Sequence, residues 1–237
     1  MSKIIADEIC HKLKSHADIE ANLVSIIWFG SIHNDQDVHA KSDCDLQVVF
    51  RKPDLNSIIS MNQILEAYPE VDLSIMYMQD IYDDNQDLIF HDGTKSLFFI
   101  HVLAAGTPLY GSNVYSNIAE TLTLEQIKPS LLITIREYLG RLRVMATRDL
   151  DEPLAFKKYS LKMFKDILVF HGIESPENIT RISNSSAIDS IVNNYNFSDE
   201  SKAIISSLLD YETSLSRLDI AYLLVDYEEI VKKACNE

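Results

Sequence analysis

The stretch FGSIHNDQDVHAKSDCDLQVVF, residues 29–50, closes one apolar run and opens another, and it holds Gly30, Ser31, Asp43 and Asp45 between them. Asp43 and Asp45 are two apart, so in an extended strand both side chains project from the same face. Two carboxylates on one sheet edge repel each other and favour no fold by themselves. A cation between them removes the repulsion.

The flanking sequence supplies the scaffold. SIIWF (25–29) and DLQVVF (45–50) are short apolar runs suited to buried strands, and VDLSIMYM (71–78) is a third that carries Asp72 near its start. Between the second and third, Pro53 breaks the chain and DLNSIISMNQILEAY has helical periodicity with Asp54 placed as N-cap. TKSLFFIHVLAAG is expected to be a helix closed by Gly106, followed by the extended piece TPLYG. Three strands thus bring Gly30, Ser31, Asp43, Asp45 and Asp72 to one edge. Mg²⁺ is a hard ion that takes one or two carboxylates plus substrate phosphates. Two such ions held by three carboxylates can activate an attacking oxygen and neutralise a leaving pyrophosphate. Gly30 lets backbone amides approach a phosphate, and the Ser31 hydroxyl adds a neutral donor.

From about Asn117 onward only helical patterns remain. PSLLITIREYLGRLRVMATR is expected to start a helix at Pro129, with an apolar stripe at Leu131, Ile135, Tyr138, Leu142 and Met145. A second helix runs from Pro153 to Gly172, a Pro-start and Gly-stop pairing. Residues 174–198 read as a loop with a short helix inside it, and two more helical patterns fall near 199–215 and 219–235. The expected architecture is α+β: a small mixed-sheet domain over residues 1–116, then an all-helical bundle over 117–237.

The order apolar–Gly–Ser, eleven residues, then Asp–apolar–Asp–apolar, carried by Phe29, Gly30, Ser31, Asp43, Cys44, Asp45 and Leu46, resembles the signature of the DNA polymerase beta-like nucleotidyltransferase superfamily. Asp72 in VDLSIM matches that family's third carboxylate. The resemblance implies that Asp43 and Asp45 bind both metal ions, that Asp72 completes the acceptor-side metal, and that Ser31 holds the triphosphate. One departure is that IHNDQDVHAK, after Ser31, contains no glycine where many relatives carry several. The helical half is similar in layout to the bundles of aminoglycoside and other antibiotic nucleotidyltransferases, chiefly over REYLGRLR and FKKYSLKMF.

Composition narrows the partners. The net charge of −15 disfavours long-range attraction to nucleic acid or to an anionic membrane, and no stretch approaches the ~20 apolar residues of a membrane span. The first residues, MSKIIADEICHKLKSH, mix charge into an apolar periodicity and read as an amphipathic helix, not a signal peptide. Cys10, Cys44 and Cys235 are odd in number and widely spaced, which fits a reducing cytoplasm. Residues 1–112 hold seventeen acidic against seven basic side chains, whereas Lys128 to Lys165 holds nine basic against four acidic. Lys158, Lys162 and Lys165 recur at i, i+4 and i+7, the geometry of a solvated face and equally of one that meets a triphosphate. Tyr159 beside them suits base stacking or core packing, and Glu137 is a candidate base for an acceptor hydroxyl. Asp80, Asp83, Asp84, Asp87 and Asp92 crowd the segment after the third strand, a solvated loop or an attractor for a cationic acceptor.

The leading expectation is a Mg²⁺-dependent enzyme with two ions that moves a nucleoside monophosphate, AMP from ATP first among them, to a hydroxyl of a small cationic molecule such as an aminoglycoside-like antibiotic. The alternatives are transfer to a protein or an RNA end, and a nucleotide-binding partner protein without catalysis.

Overall fold

The computed structural model describes residues 2–30, 44–82, 97–147 and 153–236. The chain divides into two compact units, Met1–Leu122 and Thr123–Glu237. The fold is α+β, with the sheet in the first unit and, among the described residues, helices alone in the second.

The first unit opens with α1 (Ser2–Ser15) and a single turn, α2 (Ala17–Glu20). Strands β1 (Leu23–Phe29), β2 (Cys44–Phe50), β3 (Val71–Tyr77) and β4 (Thr107–Tyr110) form one sheet in the order β3-β2-β1-β4. β1 runs antiparallel to β2 and to β4, while β2 and β3 are parallel. A parallel neighbour requires a crossover, and α3 (Leu55–Leu65) supplies it. Its start is set by Asp54, whose carboxylate accepts from the Ser57 backbone N–H and hydroxyl, both at 2.8 Å. Those bonds hold the Asp54 carboxyl below the usual carboxylate range.

The central strands β1 and β2 are largely apolar on both faces because both are covered. Ile26, Trp28, Cys44, Leu46, Val48 and Phe50 pack with Ile9 and Leu13 of α1 and Met61 of α3. Ile27, Phe29 and Val49 face the other way, onto Ile81, Leu103 of α4 (Leu97–Ala104) and Ile118 of α5 (Ser116–Thr121). Period-2 alternation in β2 therefore separates two clusters and not a core from solvent.

The second unit comprises α6 (Leu124–Thr147), α7 (Pro153–Phe170), α8 (Asn184–Asn194), α9 (Asp199–Ile205) and α10 (Arg217–Asn236). α6 starts five residues before the expected Pro129, which sits inside the helix. The cause is a cap: the Thr123 backbone N–H and hydroxyl both donate to Gln126 Oε1, at 2.8 and 2.9 Å, and this offsets the amide that Pro129 lacks. The buried stripe of α6 is Ile127, Leu131, Ile135, Leu139 and Leu142, with Tyr138 and Met145 only half-buried. α7 contributes Phe156, Met163, Phe164, Ile167 and Leu168, and Phe164 stands edge-on to Tyr227 of α10 at 5.2 Å. Gly172, at φ +66, ends α7 in the left-handed conformation that closes helices. Arg143 donates Nε and Nη2 to the two oxygens of Glu228, at 2.5 and 2.6 Å, tying α6 to α10. Among the described residues no helix is long and apolar enough to cross a membrane.

Candidate functional site

Three strands meet at one end of the sheet. Asp45 is the register partner of Phe29 on antiparallel β1 and of Asp72 on parallel β3. In-register neighbours point to the same face, so Phe29, Asp45 and Asp72 form one row, with strands spaced about 4.8 Å apart. That face is the one covered by α4 and α5, and its next row is Ile27, Gln47 and Ser74. Asp45 is half-buried and Asp72 exposed, so the row passes from core to solvent along the sheet edge.

Gly30, the residue after Phe29, lies at φ +89. A Cβ built there would collide with Asp45 Oδ2 and stand 2.8 Å from Cγ. The carboxylate thus lies against bare backbone, which is why the position takes glycine. On the other face of β2, burial pushes the Cys44 thiol up to about 11, and the charges of Asp45 and Glu70 add to it. Cys44 is a packing residue and stays protonated at neutral pH.

Asp43 and Ser31 lie outside the described residues, as do Asp83, Asp84, Asp87 and Asp92. Among the described residues no three His, Cys, Asp or Glu side chains gather to hold an ion. The pair Asp45–Asp72 nonetheless has the character Mg²⁺ needs: two hard oxygen donors side by side at a sheet edge, one of them seated where Gly30 leaves room. Asp80 has a local role, its carboxylate accepting from the Tyr77 N–H at 3.2 Å to cap the turn Met78–Asp80.

The remaining predicted residues belong to the second unit. On α7, Lys162 is exposed and Lys158 half-buried. Tyr159 accepts a 2.9 Å bond from Arg141 Nη1, with that guanidinium 5.2 Å from its ring, and its ring lies 5.7 Å from Tyr138. Arg141, Tyr159 and the exposed Glu137 border a shallow groove over Gly140.

Sequence reasoning missed three polar features. Gln47, fully buried in β2, donates from Nε2 to Ser74 O at 3.0 Å and accepts from Ser74 Oγ at 2.9 Å. Lys157, next to Lys158, is buried, and its ammonium donates to the carbonyls of Ser207 (2.8 Å), Thr213 (2.6 Å) and Asp210. Asp166 is buried in α7, and among the described residues its Oδ2 has no hydrogen-bond partner. Burial drives its carboxyl well above the carboxylate range, Lys162 and Lys165 offsetting only part. One signal was present: D-L-Q in β2 and D-L-S in β3 both place a polar residue on the aspartate's own face.

No protein-family model matches this chain, and no curated protein matches it either.

Proposed function

We propose that the chain is a Mg²⁺-dependent nucleotidyltransferase of the polymerase beta-like kind, moving AMP from ATP to a hydroxyl of a small, positively charged acceptor in the cytoplasm. The observation that carries this reading is the in-register pair Asp45–Asp72 beside the positive-φ Gly30, at the end of an apolar sheet. In the reaction the acceptor oxygen bonds the α-phosphorus, the bond from that phosphorus to the β-phosphate bridge oxygen breaks, pyrophosphate leaves, and the hydroxyl proton passes to a base or to water.

Asp45 and Asp72, together with Asp43, would hold the two Mg²⁺ ions. When bound, the ions polarise the attacking oxygen and neutralise charge on the leaving pyrophosphate. Gly30 keeps backbone open to the phosphates, and Ser31 adds a hydroxyl donor. Lys158 and Lys162 are the candidate partners of the β- and γ-phosphates, and Glu137 the candidate base. The acidic balance of residues 1–112 favours a cationic acceptor and repels RNA.

The test is incubation with Mg²⁺ and each labelled NTP, with and without aminoglycoside-like acceptors, following pyrophosphate release and labelled product. Wild type is expected to release pyrophosphate only with an acceptor present. Asp45→Asn is expected to lose several orders of magnitude in turnover with its fold intact. Full activity in Asp45→Asn rejects the site, and label appearing only on RNA or protein rejects the acceptor.

A further inference from the structure

A primary amide buried inside an apolar strand needs its own account. Gln47 is 0% exposed, and every other β2 residue from Leu46 to Phe50 is apolar. Burying such an amide costs about 1–3 kcal/mol unless it is hydrogen-bonded. Gln47 is bonded throughout: Oε1 accepts from Ser74 Oγ, and Nε2 donates to Ser74 O at 3.0 Å and Val48 O at 3.3 Å. An apolar pair of similar shape would serve packing about as well, so the polar pair supplies something other than stability.

Its place in the sheet indicates what. Among the described residues β3 is an edge strand whose sheet neighbour is β2. Asp72 is exposed on that strand, opposite Asp45. Gln47 and Ser74 are register partners one row further along the same face, two residues from Asp45 and Asp72 respectively. Their side chains cross the strand pair directly behind the two carboxylates. A slip or splay of the edge strand would break these bonds and change the carboxylate spacing together.

We propose that Gln47 and Ser74 are positioning residues that hold Asp45 and Asp72 at the separation a divalent ion bridges. This rests on the metal-dependent reading of the site. Outer-shell groups that hydrogen-bond a metal ligand directly change metal affinity by about 10–100-fold when removed. This pair acts one row behind the carboxylates, through the spacing of the two strands, so the low end of that range applies.

The test uses Mn²⁺ as probe, with free Mn²⁺ counted by its paramagnetic resonance signal in the full chain, and requires no substrate. Ser74→Val removes the hydroxyl at nearly the shape of Ser74→Thr, which keeps it. Ser74→Val is expected to weaken Mn²⁺ binding about 10-fold or more, with Ser74→Thr close to wild type. Because Ser74→Val also leaves Gln47 Oε1 without its Ser74 donor and lowers the thermal midpoint, binding is read well below the midpoints of both variants. If Ser74→Val does not fold, Gln47→Leu/Ser74→Ala replaces the pair with apolar groups and carries the same expectation. Equal Mn²⁺ affinity in Val and Thr variants, while Asp45→Asn abolishes binding, overturns the positioning role and leaves the metal site standing. Wild type that takes up no Mn²⁺ overturns both.

Discussion

The Asp45 carboxylate fills the space that a side chain on Gly30 would need, a Cβ there colliding with Oδ2 and lying 2.8 Å from Cγ. Strand β1 is therefore followed by a glycine for two reasons at once. At φ +89 any L side chain is strained, by about 1–2 kcal/mol in the left-handed region, and the neighbouring acid leaves it no room.

Gly30→Ala should lower stability by more than the backbone strain alone, because the Asp45 carboxylate must also move. The two causes separate in a double-mutant cycle read by urea unfolding. In an Asp45→Ala background the cost of Gly30→Ala should fall toward the strain value, giving a coupling of about 0.5–3 kcal/mol. Additive costs would mean that the alanine methyl and Asp45 do not meet.

Lys157 and Lys158 are adjacent and should behave oppositely. Lys157→Met strands the Ser207, Asp210 and Thr213 carbonyls that its ammonium binds, and is expected to cost about 2–3 kcal/mol. Lys158→Met, half-buried and outside that cage, should stay within about 0.5 kcal/mol. Chemical denaturation of both variants checks this, and equal losses would contradict the cage.

Asp166 predicts a pH dependence of definite sign. Its folded-state carboxyl lies well above the ordinary value because of burial. Above pH 4 the unfolded chain releases this proton while the folded chain keeps it, so stability falls as pH rises, by up to about 1.4 kcal/mol per unit. The loss stops once pH passes the folded value. Asp166→Asn has no proton to lose, so its advantage over wild type should grow from pH 4 upward and vanish near pH 4. Denaturation midpoints between pH 4 and 8 measure it, and parallel profiles for the two proteins would refute it.

If the exposed Lys162 meets the β- or γ-phosphate, Lys162→Ala should raise the Kd for an NTP about 10-fold while leaving the NMP nearly unchanged, since a charge-assisted bond to phosphate contributes about 1.5–3 kcal/mol. Lys202, on α9 and 3.8 Å from Asp199, is the control. Equal effects on both nucleotides, or none, would return Lys162 to an ordinary solvated face.

The strands and most helix ends were legible in the sequence because they depend on local rules. Apolar runs marked β1, β2 and β3, Asp54 marked the start of α3, and Pro153 with Gly172 bracketed α7. Pro129 marks a helix start that the structure does not use, because a Thr123–Gln126 cap opens α6 at Leu124 and outweighs a proline's usual preference for the first turn. The candidate acids were legible as residue types in a pattern, and the polar residues two places beyond them were visible but unread. What one chain's periodicity leaves open is which strand lies beside which, and in what register. That Asp45 stands next to Asp72, and Gln47 next to Ser74, follows from the parallel pairing of β2 with the edge strand, a contact between segments distant in sequence. Burial of Lys157 and Asp166 was equally a tertiary decision. Successive helical residues differ by about 100° around the axis, so whether a charge meets a cage of carbonyls, a dry interior or water depends on the element packed against that side.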